Sequence, residues 1–110
     1  MSFRVANDIV LNETNLTTSD VASEVLDCTN IYGLSVHAIS TGTVAGAVEI
    51  QVSNDKINWV TLSSPSITIT NTTNDAVQVA DLFYKWARIN YNAISGTTNT
   101  LEVHITTKGI

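Results

Sequence analysis

Val48-Glu49-Ile50-Gln51-Val52-Ser53 decides the fold class of this chain. Its apolar residues fall on every second position, so Val48, Ile50 and Val52 point to one side of an extended backbone and Glu49, Gln51 and Ser53 to the other. Leu101-Glu102-Val103-His104-Ile105-Thr106 repeats the alternation near the end of the sequence. Softer versions run over Val5 to Leu11, Val21 to Cys28, Leu34 to Ile39, Trp59 to Leu62, Ser66 to Thr70, Ala76 to Ala80 and Lys85 to Tyr91. Nowhere do apolar residues recur at the three-to-four spacing of a helix, and Thr, Val, Ile and Asn, all poor helix formers, dominate. Turn-forming residues separate the strands: Asn12 to Ser19, Thr29-Asn30, Ser40-Thr41-Gly42, Ser53-Asn54-Asp55, Ser63-Ser64-Pro65, Asn71 to Asp75 and Ser95-Gly96-Thr97. The one proline, Pro65, lies between two apolar runs and is expected at a bend or an edge, where a missing N–H costs least. About eight short strands at this spacing predict an all-β chain, a single β-sandwich of antiparallel strands with jelly-roll-like character, occupying residues 1–110 as one domain.

The size agrees. A chain of 110 residues and 11.8 kDa with 44% hydrophobic residues can bury a core of its own without a disulfide or a structural metal. Cys28 is the only cysteine, so no internal disulfide is available. The opening Met-Ser-Phe-Arg-Val-Ala-Asn-Asp lacks the apolar run of a secretory signal, and no stretch reaches the roughly 18 apolar residues of a membrane helix; synthesis in a cytoplasm and no membrane partner are the expectation. The Asn-x-Thr triplets at Asn12, Asn15 and Asn71 are then chance matches in a chain rich in Asn and Thr.

Charge is scarce. Lys and Arg number 5 against 10 Asp and Glu, a net charge of −5, and charged residues make up only 14%. The basic residues are scattered along the sequence, which argues against nucleic acid as a partner, because affinity for phosphate comes from clustered Lys and Arg. No formally charged residue occurs between Asp27 and Glu49, between Lys56 and Asp75, or between Arg88 and Glu102. Strands of free monomers usually carry Lys or Glu to discourage pairing with other chains. Two readings account for the three gaps: short or covered edges wetted by Thr, Ser and Asn, or strands completed by partner subunits.

Motifs of catalysis are missing from the sequence. Gly42-Thr43-Val44-Ala45-Gly46 has neither a central Ser nor a following Gly-Lys-Ser/Thr, so it is read as a hairpin turn and not as a nucleophile elbow or phosphate loop. His37 and His104 sit on the polar phase of their strands and are expected as surface histidines; a metal site would need both to converge with a third ligand. Cys28 shares its phase with Leu26 and Ala22, as a buried inert thiol would. No Asp/Glu pair is placed for acid–base work, so no enzyme activity and no cofactor or metal are expected. Trp59 and Trp86 could stack on a sugar ring, contact another subunit or pack structurally, and Arg88, on the same strand phase as Trp86, could lay its stem on a ring and offer its guanidinium to a neighbour.

The run from Val48 to Leu62, with Ser53-Asn54-Asp55-Lys56-Ile57-Asn58-Trp59 at its centre, resembles the strand–Ser-Asn-Asp-Gly-x-Asn-Trp–strand hairpin of discoidin-like and galactose-binding-like sandwiches, with Lys56 in place of the glycine. Tyr84-Lys85-Trp86-Ala87-Arg88-Ile89-Asn90-Tyr91 is similar to their aromatic-Arg-Tyr-x-Arg-Ile strand. Short proteins with this order, closing on a Ser-Gly-Thr turn and a Leu-x-Val-x-Ile strand, occur among bacteriophage structural proteins. The resemblance spans roughly residues 44–108. It lacks the acidic calcium cluster and the long aromatic-tipped ligand loops of many discoidin-like domains.

What the resemblance implies is a non-enzymatic virion structural protein, an accessory, decoration or minor capsid protein or a tail-associated one, made in the host cytoplasm. Its partners would be other virion proteins and copies of itself in a closed oligomer such as a trimer or pentamer, with Ile39, Ile57 and Ile94 as candidate contacts. The acidic balance suits an outer surface. The alternative is a carbohydrate-binding module in which Trp59 with Asn54 and Asp55, or Trp86 with Arg88, grips a surface glycan.

Overall fold

The computed structural model describes residues 4–15, 19–80 and 82–109, with side chains from residue 9 onward. The chain is all-β, a seven-stranded antiparallel sheet: β1 (Arg4–Thr14), β2 (Val21–Ala22), β3 (Leu26–Asp27), β4 (Ile31–Ser53), β5 (Val60–Thr70), β6 (Thr73–Val79) and β7 (Trp86–Gly109). The long strands β4 and β7 pair along almost their whole length, from Ile31↔Gly109 to Ser53↔Trp86. The first half of β4 takes β6 as its other neighbour, and the second half takes β5. On β7 the same division places β1 against residues 100–109 and the short β2 and β3 against residues 86–91.

This ribbon must fold back on itself. The 23 residues of β4 would reach about 75 Å if straight, yet the longest axis of the molecule is 45 Å. The even-numbered face of β4 stays inward on both sides of the bend, from Leu34, Val36 and Ala38 to Val48, Ile50 and Val52. The odd-numbered face of β7 does the same, from Ala87, Ile89 and Tyr91 to Leu101, Val103 and Ile105. The two halves thus close one hydrophobic cluster between them as the layers of a sandwich.

The bend is built at Gly42, whose φ of +81° lies in the left-handed region that other residues rarely adopt. A Cβ there would also run into the Thr98 carbonyl oxygen. On the partner strand Thr97 and Thr98 together face Thr43, a bulge that sharpens the turn of the ribbon. Buried polar side chains hold the corner. Asn99 donates from Nδ2 to the carbonyls of Thr43 (3.1 Å) and Thr97 (3.0 Å). Ser40 donates from Oγ to the Asn71 carbonyl (2.5 Å) and accepts from the Thr73 amide (3.0 Å). Asn71, itself at a positive φ of 52°, donates its amide to the Val44 carbonyl (2.7 Å). The β5–β6 turn is thereby tied to the outside of the bend.

Several local expectations are corrected by this topology. Gly42 to Gly46, expected as a hairpin turn, is continuous β4, because β7 follows it through the bend and keeps its backbone paired. Ser95-Gly96-Thr97, expected as a turn, is likewise a bulged stretch of β7; one extra residue there pushes Ile94 outward. Trp59–Leu62 and Ser66–Thr70 merge into β5, whose register jumps from Glu49↔Ser66 to Gln51↔Thr61 so that Pro65 sits in a wide bulge on an edge strand. Val21–Cys28, expected as one strand, pairs with the sheet as two short pieces, β2 and β3, with Ser23 bonding Ile89 from between them. The expected Asn12–Ser19 connection lies partly outside the described residues, and Asn12–Thr14 continue β1.

Gly42→Ala is expected to destabilise the protein by about 1–3 kcal/mol, from the left-handed backbone and the carbonyl clash together. Asn99→Ala should cost a similar ~1–3 kcal/mol by removing the two corner hydrogen bonds. Urea denaturation of each variant checks both, and wild-type midpoints would contradict the account of the bend.

Candidate functional site

The residues singled out in the sequence meet at one end of the sandwich, where the second half of β4, the start of β7 and the β4–β5 loop come together. Ser53 ends β4 opposite Trp86, and Gln51 lies between Thr61 of β5 and Arg88 of β7. The alternation that turns Ile50, Val52, Ala87 and Ile89 inward turns Gln51, Thr61, Trp86 and Arg88 to the outer surface. Trp59 immediately precedes β5 and joins them.

Asp55 shapes the loop. Its Oδ1 accepts from the amides of Ile57 (2.8 Å) and Asn58 (2.7 Å) and from Ser53 Oγ (2.9 Å), and its Oδ2 accepts from Asn58 Nδ2 (2.7 Å). Lys56 sits at a φ of 65° at the tip, the left-handed position that the glycine of the resembling hairpins would fill without strain. The amide donations, first from Asn58 and then from Ile57, hold the Asp55 carboxyl well below the usual carboxylate range. Both oxygens of Asp55 are therefore engaged inside the loop. Asn54 instead bridges loops: its Oδ1 accepts from the Lys85 amide at 3.2 Å.

The two tryptophans are half-buried and each lies under a cation. The Arg88 guanidinium stands 4.4 Å from the Trp59 ring centre, reaching across β4, while its Nε donates to Gln51 Oε1 at 2.6 Å. Lys56 and Lys85 approach the Trp86 ring at 4.7 and 5.5 Å. Arg88 thus stacks on Trp59 and not on Trp86, its neighbour on the same strand face, and its hydrogen-bond partner is an amide and not a carboxylate. The basic residues, scattered in sequence, are not scattered in space: 3 of the 5 cations of the chain gather here. Among the described residues, none of the three makes an ion pair with a carboxylate.

Beside Trp86 a cleft of about 370 Å³ opens between Asn54, Thr29, Ile31 and the Leu82–Lys85 segment. Phe83 (87% exposed) and Ile57 (79%) stand at this end with Val60, Tyr32 and Tyr84. Cys28 lines the floor, and burial pushes its thiol up to about 11, with the Asp27 charge adding to the shift. Asp27 is spent on a turn of its own, accepting from the Thr29 hydroxyl (2.6 Å) and amide (3.0 Å).

The other candidates lie elsewhere. His37 and His104 are register partners on the outer face of the other half-sheet, their ring centres 6.1 Å apart. His37 Nε2 pairs with Asn74 Oδ1 at 2.5 Å and His104 Nε2 with Glu102 Oε1 at 3.2 Å. Their meeting was not legible in the sequence, since it depends on the β4–β7 register. Among the described residues no group of three or more His, Cys, Asp or Glu is arranged to hold a metal ion.

The Asp55 loop sets a pH dependence. Because its folded value lies below the ordinary 3.8, the stabilisation it provides is complete above that pH and is lost as the pH falls through the depressed folded value. In a carboxyl-carbon NMR titration Asp55 is expected to remain ionised as the pH falls below the ordinary carboxylate value. Asp55→Ala should loosen residues 54–59 without unfolding the sandwich, seen as faster amide exchange at Ile57 and Asn58; titration at the ordinary value, or unchanged exchange, would contradict this.

No curated protein sequence matches the chain. Among solved structures, the chain is similar to the PBSX exported protein XepA, with a TM-score of 0.77 and 15% identity over 93% of this chain, and it spans only 36% of that protein. It is similar to the SPBc2 prophage-derived protein YomS, with a TM-score of 0.66 and 11% identity over 99% of this chain and 96% of the other. A third likeness is to the enzymatically active domain of tailspike protein 4 of bacteriophage CBA120, with a TM-score of 0.54 and 14% identity, covering 97% of this chain and 19% of that one. At these identities the shared property is the fold. Residues 27–109 match the model of the family described as Domain of unknown function (DUF6385), and the chain belongs to that family.

Proposed function

We propose that this protein is a non-enzymatic structural component of a bacteriophage or phage-derived particle, acting by association with copies of itself and with other proteins of the particle. The fold it shares with a prophage-derived protein and a phage tailspike domain supports this reading. One observation carries it: the charge-free run from Ile57 to Asn74 lies on an edge of the sheet.

Two of the three uncharged gaps have a different cause. Residues 28–48 fall largely on β4 and residues 89–101 on β7, and these strands are flanked by neighbours within the chain. Their backbones are already paired, so they need no charge to repel other chains. β5 differs. Among the described residues it pairs with β4 on one side and has no strand on the other. Its Ser66-Ile67-Thr68-Ile69-Thr70 buries both isoleucines and presents only hydroxyls outward. A neutral edge with free backbone groups accepts a further strand readily, and a second molecule supplying one would extend the sheet. Ile57 and Ile94 are exposed and available as further apolar contacts, whereas Ile39 is half-buried and offers less.

Sedimentation of the wild-type protein at micromolar concentration is expected to give a mass above the 11.8 kDa of one chain. Thr68→Lys, which places a charge on the β5 edge, should shift it to monomer with an unchanged circular-dichroism spectrum. A wild-type monomer that also fails to join a particle would overturn the proposal.

A further inference from the structure

Among the described residues, the cations at the Trp59–Trp86 end make no ion pair with a carboxylate, although the Asp27 charge lies close enough to Lys85 and Lys56 to feel both. The chain carries net −5, and electrostatics alone would pair its few positive groups with its abundant carboxylates. Lys56, Lys85 and Arg88 are instead held over aromatic rings. Among the described residues, Asp55 beside Lys56 and Asp27 opposite Trp86 are both committed to hydrogen bonds of their own turns. Arg88 is fixed from two sides, by the Trp59 ring and by Gln51 at its Nε, which leaves the terminal nitrogens of its guanidinium to project as a donor pair. That pair matches the two oxygens of a carboxylate.

The surroundings suit a saccharide. Half-exposed indole rings, the amide of Gln51 and the hydroxyl of Thr61 lie together on the outer face. This is the mixture of flat apolar surface and hydrogen-bonding groups that a sugar ring offers in return. The cleft is within the size range of small-ligand sites, and Lys85 lines it while also reaching over the Trp86 ring, so the cleft adjoins Trp86. We propose that the Trp59–Arg88–Gln51 platform and the adjoining Trp86–Lys85 cleft bind an oligosaccharide bearing carboxylate groups, with Arg88 as the carboxylate anchor. This site meets β5 only at its first residues, away from the Ser66–Thr70 stretch, and goes beyond the assembly function.

The test is an NMR titration of the full-length protein with a galacturonate hexamer, and in parallel with its methyl-esterified form, which keeps the sugar backbone and loses the charge. The indole N–H signals of Trp59 and Trp86 are expected to shift saturably with the acidic probe, and the ester should bind about tenfold or more weakly. Binding should weaken with added salt. Arg88→Gln should lower affinity about tenfold. Lys85→Gln, on an exposed loop, should lower it with no change in thermal midpoint, which guards against a folding defect in the first variant. Neither change should alter the sedimentation behaviour that Thr68→Lys abolishes. Equal affinity for acid and ester, no binding at millimolar probe, unchanged affinity of both variants, or binding of poly-glutamate but not of galacturonate would overturn the proposal.

Discussion

The structure depends on a single folded ribbon. β4 and β7 are one continuous antiparallel pair that is too long for the molecule unless it doubles over, and it does so at Gly42 and the bulge opposite. Every other strand attaches to one side of this ribbon or the other, so the bend determines which half-sheet each belongs to. Its cost is local: a left-handed residue and backbone groups turned out of the ladder. That cost is offset by Asn99, Ser40 and Asn71, whose side chains and backbone provide the hydrogen bonds the corner would otherwise lack. The polar residues buried in the core, Ser40, Ser53 and Asn99, thus sit where the ribbon bends or where it enters the Asp55 loop.

The same topology divides the surface into protected and open parts. Central strands can be free of charge at no risk, because their hydrogen-bonding groups are used within the chain. An edge strand has no such protection, and β5 is both an edge and uncharged. The scarcity of charge in the composition therefore has two distinct physical origins, and only the β5 stretch bears on association.

The end carrying Trp59 and Trp86 shows the reverse pattern: among the described residues its three cations make no ion pair, in an acidic protein. Stacking on indole rings keeps Lys56, Lys85 and Arg88 ordered while leaving their charge available. The loop that presents Lys56 and Ile57 is rigid for a local reason, the four hydrogen bonds accepted by Asp55. Asp55 therefore acts as a turn-former, which is how a residue expected to touch a ligand comes to position the residues around it.

The sequence by itself determined the fold class, the inward and outward faces of nearly every strand, the burial of Cys28 and the edge position of Pro65. All follow from a two-residue period and from local turn chemistry, which are written into neighbouring residues. It did not reveal that Gly42–Gly46 and Ser95–Thr97 are bends within strands, because glycine and serine mark a reversal and a bulge alike. Nor could it show that His37 faces His104, that Arg88 reaches Trp59 across an intervening strand, or that three separated cations share one end. Those facts depend on the register between segments roughly 30 to 70 residues apart, and register is set only when the two half-sheets close on a common core.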